Sequence, residues 1–139
     1  MSCVLGFDFG TRLIGVAVGN QITQSAQALS VIENSPRGPD WATLDALLQE
    51  WRPSVLLVGL PLTLDDKEQP ITRAARGFAA ALEKRYGLRV HAVDERYTSM
   101  EASRRFAEQR RSGTAKRKHA ANIDSVAAQI IVESWLATA

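Results

Sequence analysis

An aspartate stands inside an apolar run that otherwise reads as a buried strand: Val4-Leu5-Gly6-Phe7-Asp8-Phe9-Gly10. Aspartate is depleted from strands, and a carboxylate withdrawn from water needs a strong compensating partner. A divalent cation meets that need when further acidic residues complete its shell of oxygens. Gly10-Thr11-Arg12 is a turn signal and Ile14-Gly15-Val16-Ala17-Val18 is a second run of strand length, so Asp8 stands near the turn of a hairpin. Alternation places Val4, Gly6 and Asp8 on one face and Leu5, Phe7 and Phe9 on the other, which predicts open space beside the carboxylate where Gly6 lacks a side chain. The plainer alternative is an aspartate that accepts hydrogen bonds from the turn backbone.

With 139 residues, 45% of them hydrophobic and 23% charged, the chain suits one domain, 1–139, with a real core. Its single cysteine, Cys3, opens a strand and is expected to be a small buried apolar group rather than a nucleophile, which fits a reducing, cytoplasmic setting. No signal peptide is apparent, and no apolar run approaches the roughly 18 residues that span a bilayer. The formal charge is only +2, so its distribution matters more than its sum.

Residues 27–32 supply a third strand. Ser35-Pro36-Arg37-Gly38-Pro39 then reads as a loop before Asp40 caps a helix that ends near Trp51, with Trp41, Leu44, Leu48 and Trp51 recurring at helical spacing. Pro53 stops it ahead of Val55-Leu56-Leu57-Val58, a central buried strand that Gly59-Leu60-Pro61 ends. A polar loop over 63–69 leads to a helix through Ala74, Phe78 and Leu82 that Gly87 closes, then a strand over 89–93. Asp94-Glu95-Arg96, a helix over 99–110, a basic loop and a last helix over 123–136 complete the order. Three antiparallel strands followed by alternating helices and strands imply a mixed α/β sheet covered on both faces.

In open α/β sheets, ligands gather where strand ends meet helix starts. Glu95 follows a strand end and Asp124 lies in the first turn of the last helix, where the helix dipole favours an anion. With Asp8 they could form three carboxylates at one end of the sheet. Oxygen donors suit Mg²⁺ or Mn²⁺, and the chain has no His/Cys cluster for zinc. Two such ions about 4 Å apart activate water on one side of a phosphodiester and stabilise the leaving oxygen on the other. Taken singly, Glu95 could instead pair with Arg96 or Arg104, and Asp124 could be only a favourable helix-start charge.

Four segments resemble one family nearly end to end: Leu5-Gly6-Phe7-Asp8-Phe9-Gly10-Thr11 with Ile14-Gly15-Val16-Ala17-Val18; Val58-Gly59-Leu60-Pro61-Leu62; Val93-Asp94-Glu95-Arg96-Tyr97-Thr98; and Ile123-Asp124-Ser125-Val126-Ala127-Ala128. The family is the YqgF-like (RuvX) group of the ribonuclease H-like superfamily, described as Holliday junction resolvases or as nucleases acting on the precursor of small-subunit (16S) ribosomal RNA. The resemblance implies a five-stranded ribonuclease H-like sheet, metal-dependent nuclease activity, and Asp8, Glu95 and Asp124 as the acidic triad. The chain departs from the family pattern at Arg12-Leu13 and at Thr63-Leu64-Asp65-Asp66, near substrate contacts but not at a metal ligand.

Arg104, Arg105, Arg110, Arg111, Lys116, Arg117 and Lys118 are seven of the seventeen Lys and Arg residues, directly ahead of Asp124. Together with Arg12 and Arg96, Arg110, Arg111, Lys116, Arg117 and Lys118 are the expected phosphate contacts, and the loop over 110–120 is expected to order on nucleic acid. A solvated, solubilising loop is the alternative. His119 is read as a bystander and His91 as structural. Asp8-Phe9-Gly10-Thr11 also looks like the phosphate hairpin of actin-like ATPases, but those need a second domain that this length does not accommodate. A non-catalytic nucleic-acid-binding module is the third class, against which the intact carboxylates argue. Substrate identity, RNA precursor or branched DNA, and state, monomer or homodimer, stay open.

Overall fold

A computed structural model describes residues 3–61, 69–94 and 122–138, with side chains from 125 onward in the last segment. Strands β1 (Cys3–Phe9), β2 (Leu13–Asn20), β3 (Ser25–Ser35) and the two-residue β4 (Gly38–Pro39) come first. They are followed by α1 (Trp41–Trp51), β5 (Val55–Leu60), α2 (Pro70–Tyr86), β6 (Arg89–Asp94) and α3 (Asn122–Thr138). The sheet order is β4-β3-β2-β1-β5-β6. β1, β2 and β3 are antiparallel, whereas β5 and β6 join β1 in parallel. This is the expected mixed α/β sheet. Its sixth strand, beyond the five expected, is β4, which lies inside the stretch that reads as a loop.

Local chemistry sets the element ends. Asp40 caps α1 by accepting from the Thr43 backbone N–H at 3.3 Å and from Thr43 Oγ1 at 2.7 Å. Gly87 takes a left-handed φ of 65° and returns its N–H to the Glu83 carbonyl, closing α2. Thr72 is buried in the first turn of α2 and donates its hydroxyl to the Pro61 carbonyl at 2.7 Å, tying that helix to the end of β5. The strand reaches Leu60, paired with Asp94, two residues beyond Val58, where the Gly59-Leu60-Pro61 signal is expected to end it.

Strand alternation sorts the apolar residues onto two faces. Leu5, Phe7, Ile14, Val16, Leu56 and Val58 pack against Leu44 and Leu48 of α1 and Ala75, Phe78 and Leu82 of α2. Val4, Ala17 and Leu57 pack against Ala128, Ile131, Val132 and Leu136 of α3. Each fully buried Leu, Ile or Phe contributes about 1.5–3 kcal/mol of transfer free energy, so the two layers hold the sheet from both sides. Cys3 is half-buried, and that burial raises its thiol pKa, as suits a packing residue rather than a nucleophile. His91 lies in β6 with its ring 5.6 Å from that of Trp135, which supports the structural reading of this histidine. No helix among the described residues is long and apolar enough to cross a membrane.

Helix α3 is fixed to the sheet by two devices. A Cβ on Gly6 or on Gly19 would overlap the side chain of Val132, so both glycines are notches that receive this one residue. In β3 the register slips between Val16↔Ser30 and Ala17↔Ala28, leaving Leu29 as a bulge. Gln129 of α3 accepts the Ala28 N–H beside this bulge at 3.1 Å, a bond from helix to strand across the layer.

Candidate active site

Asp8 lies half-buried near the end of β1, on the face covered by α3. Its antiparallel partner is Gly15, and on the other side Gly59 follows Val58, the parallel partner of Phe7. Both flanking strand positions on this face are therefore glycines, so neither adjacent strand sets a cross-strand side chain beside Asp8. The sequence carries this signal in Gly15 and Gly59, but each reads as an ordinary strand or turn residue until the strand pairing is known. The expected opening above Gly6 is not there. Val132 occupies it, because a glycine notch on a covered face is a seat for a helix before it is room for a ligand.

The turn after Asp8 is held by a residue that sequence reasoning misses. Asn34 of β3 donates its side-chain N–H to the Gly10 carbonyl at 2.7 Å and its backbone N–H to the Arg12 carbonyl at 2.8 Å. A Cβ on Gly10 would press on the Leu13 carbonyl, so glycine is needed for the chain to fold back this tightly. Arg12 is exposed on that turn, at the same end of the sheet as Asp8.

Asp124 stands in the first turn of α3, and the helical row through it runs Asp124, Ala128, Val132, Leu136. Ala128 and Val132 lie over Gly6, and Leu136 lies beside Gly19, which is paired with Val4. Moving from Ala128 to Asp124 is a step of about 6 Å along the helix, and from Gly6 to Asp8 about 6–7 Å along the strand. Both steps go toward the same end, so positions 8 and 124 share one end of one face.

Glu95 lies outside the described residues, directly after Asp94, the last residue of β6. Arg96, Arg110, Arg111, Lys116, Arg117, Lys118 and His119 also lie outside them, as does the helix expected over 99–110. Among the described residues no three His, Cys, Asp or Glu side chains converge. Among the described residues, Cys3 is at the far end of β1 from Asp8 and His91 packs on Trp135.

The RuvX family model, described as Holliday junction resolvase, matches residues 2–138. A protein of Xanthomonas campestris pv. campestris (strain 8004), named "Putative pre-16S rRNA nuclease", is 51% identical over 133 residues, covering 96% of this chain and 86% of the relative. One of the same name from Xanthomonas oryzae pv. oryzae (strain PXO99A) is 52% identical over 134 residues with the same coverage. Among solved structures, T. thermophilus RuvC in complex with Holliday junction substrate aligns with a TM-score of 0.56 at 18% identity, over 99% of this chain and 95% of that one. Fowlpox virus resolvase, solved with substrate Holliday junction DNA, aligns with a TM-score of 0.58 at 10% identity, over 98% and 97%. These two share the fold, which is the resolvase type of ribonuclease H-like sheet. On the strength of the family match and the relatives above half identity, the chain belongs to the RuvX family of hydrolytic nucleases.

Proposed function

We propose that the chain is one nuclease domain, an endonuclease dependent on Mg²⁺ or Mn²⁺, in which Asp8, Glu95 and Asp124 hold the cations and the substrate is the precursor of small-subunit ribosomal RNA. The observation that carries this is the half-buried Asp8 between two glycines, at the end of the face toward which the row of Asp124 runs. Glu95 follows directly on β6, whose His91 and Val93 pack on the face that carries Asp8, and this adjacency supports the reading. An all-oxygen donor set suits a hard cation. When bound, such ions activate a water for attack on phosphorus and stabilise the leaving oxygen.

The chain's own residues do the rest. The hairpin turn clamped by Asn34 carries an exposed Arg12 at the end of β1 where Asp8 stands, which supports reading Arg12 as a phosphate contact. Arg96, Arg110, Arg111, Lys116, Arg117 and Lys118 supply further phosphate contacts, whose charge draws the polyanion in. A cytoplasmic location accords with this substrate.

The RNA assignment is supported by the name carried by relatives above half identity, and the branched-DNA alternative by the family's description. The two differ in assembly, since paired cuts across a junction call for a two-fold dimer whereas trimming a precursor does not. Purified protein with Mn²⁺, offered precursor RNA and a four-way DNA junction in parallel, tests the proposal. Cleavage of the RNA by a monomer supports it, and paired cuts in the junction without RNA cleavage replace the substrate.

A further inference from the structure

On the sheet face away from α3, a cavity of about 240 Å³ opens between the end of β1, the turn joining β3 to β4, and α2. Phe9, Trp41 and Phe78 provide its aromatic wall, with Asn34 from the turn and Gly77 and Ala81 from α2. The rings are graded rather than edge-on: Phe9 lies 5.1 Å from Phe78 at 38°, and Trp41 lies 6.2 Å from Phe78 at 37°. Arg85 stacks over Trp41, its guanidinium 4.8 Å from the ring centroid, and is itself held by Asp45, so the indole has a fixed seat.

Gly77 is the telling residue. Glycine weakens a helix interior, and here neither a positive φ nor a close neighbour demands it, for a Cβ would meet nothing within 4 Å. Its lack of a side chain does one visible thing, which is to keep the cavity open on its helical side. The cavity falls below the roughly 300–1,000 Å³ of pockets that enclose whole drug-sized ligands, a size that suits a single planar ring system. Among the described residues, two cations border it without a carboxylate partner. Arg37 sits between the lining residues Ser35 and Gly38, Arg73 precedes the lining Ala74, and no carboxylate among the described residues pairs with either. Asp40, next to Trp41, spends its carboxylate on the cap of α1. A second depression shares Trp41 and Ala81 and is bordered by Lys84.

We propose that this cavity takes one unpaired nucleobase of the nucleic acid substrate, stacked on Phe9, Trp41 and Phe78, with the flanking phosphates on Arg37 and Arg73. The proposal rests on the nuclease reading above and adds to it a preference for single-stranded segments. A base with a free π-face and a free edge is recognised by aromatic platforms of this kind, whereas a base locked in a duplex is not presented to them. Asn34 borders the cavity and also clamps the turn after Asp8, so an occupied cavity places the chain of phosphates near the cleavage end of β1.

The test is the affinity of the full chain, in EDTA so that nothing is cut, for labelled single-stranded RNA, single-stranded DNA and a blunt duplex, measured by fluorescence anisotropy. Gly77→Leu, which fills the cavity from an open position, is expected to weaken single-strand binding by about five- to tenfold and leave duplex binding unchanged. Gly77→Ala, expected to melt no lower than the parent, controls for the helix itself. Equal response of the RNA and DNA strands identifies the base as the recognised group, and loss confined to RNA adds its 2′-hydroxyl. Wild-type affinity of Gly77→Leu for single strands, or an equal loss on single strands and duplex, overturns the cavity assignment. Cleavage that depends on Asp8 while Gly77→Leu binds normally overturns this proposal alone, and absence of any nucleic acid binding by the parent overturns both readings.

Discussion

Val132 of α3 fills the space above Gly6 of β1, so that any side chain at position 6 would collide with it. This contact sets how far α3 slides along β1 and, through the row Asp124, Ala128, Val132, where residue 124 stands relative to Asp8. Gly6→Ala is expected to lower unfolding stability by about 1–3 kcal/mol, as overpacking does in a rigid core. Combining it with Val132→Ala should recover at least about 0.5 kcal/mol of the summed losses, because the two changes meet at one contact. Chemical denaturation of the four proteins in the cycle measures this coupling.

Asp8→Asn removes a charge and keeps the shape. It is expected to leave the melting temperature near that of the parent, since the isosteric amide keeps the packing of this half-buried position. Cleavage in Mn²⁺ should drop by more than about 100-fold, beyond what losing a mere supporting group at a metal site costs. Turnover with labelled substrate and calorimetric Mn²⁺ titration report the two halves of this expectation, and retained turnover removes Asp8 from the chemistry.

Neutralising Arg117 and Lys118 together should weaken nucleic acid binding and reduce the slope of log affinity against log salt by about 0.7–0.9 for each phosphate that is no longer neutralised. Titrations at several salt concentrations read the slope directly. An unaltered slope returns this segment to the role of a solvated loop.

Asn34→Ala deprives the Gly10 carbonyl of a 2.7 Å hydrogen bond in a part-buried turn. A loss of about 1–2 kcal/mol is expected, together with a fall in cleavage rate, since the same turn carries Arg12. Comparison of melting curves with single-turnover rates separates the two effects.

On the surface joining α1 to α2, Arg85 donates to both Asp45 oxygens at 2.9 and 2.7 Å, and the Tyr86 hydroxyl donates to Asp45 Oδ1 at 2.7 Å. The bond from Arg85, then that from Tyr86, hold the Asp45 carboxyl down at about 2. A carboxyl with a lowered folded-state pKa contributes stability above its ordinary value near 3.8, and that contribution disappears as pH falls toward 2. Both partners are nearly half exposed, so the effect is small. Asp45→Asn should flatten the acid limb of stability between about pH 4 and pH 2, as followed by denaturation at stepped pH.

Much of the fold was legible because its signals are local. Asp40 before Trp41, Pro53 before Val55 and Gly87 after Tyr86 mark element ends by backbone chemistry that acts within a few residues. The faces of β1 were equally plain, since alternation alone separates Val4 from Leu5. What alternation could not give was the occupant of a face: the gap at Gly6 reads the same whether a ligand or Val132 fills it. The bulge at Leu29 has no local signature, nor does the bond beside it from the Ala28 N–H to Gln129, which joins residues about a hundred positions apart. Of the site, the rarity of an aspartate in a strand pointed to Asp8, whereas the glycines beside it emerge only when Gly15 and Val58 take their places in the sheet. Asn34 was invisible for the same reason.

The clip between Gln129 and the Ala28 N–H has a consequence for how relatives can diverge. Because α3 is latched to β3 and seated on β1 by its own middle turns, its leading end is positioned from within the helix. The segment between β6 and α3 can therefore lengthen or shorten from one relative to the next while the acidic position at the head of the helix keeps its address.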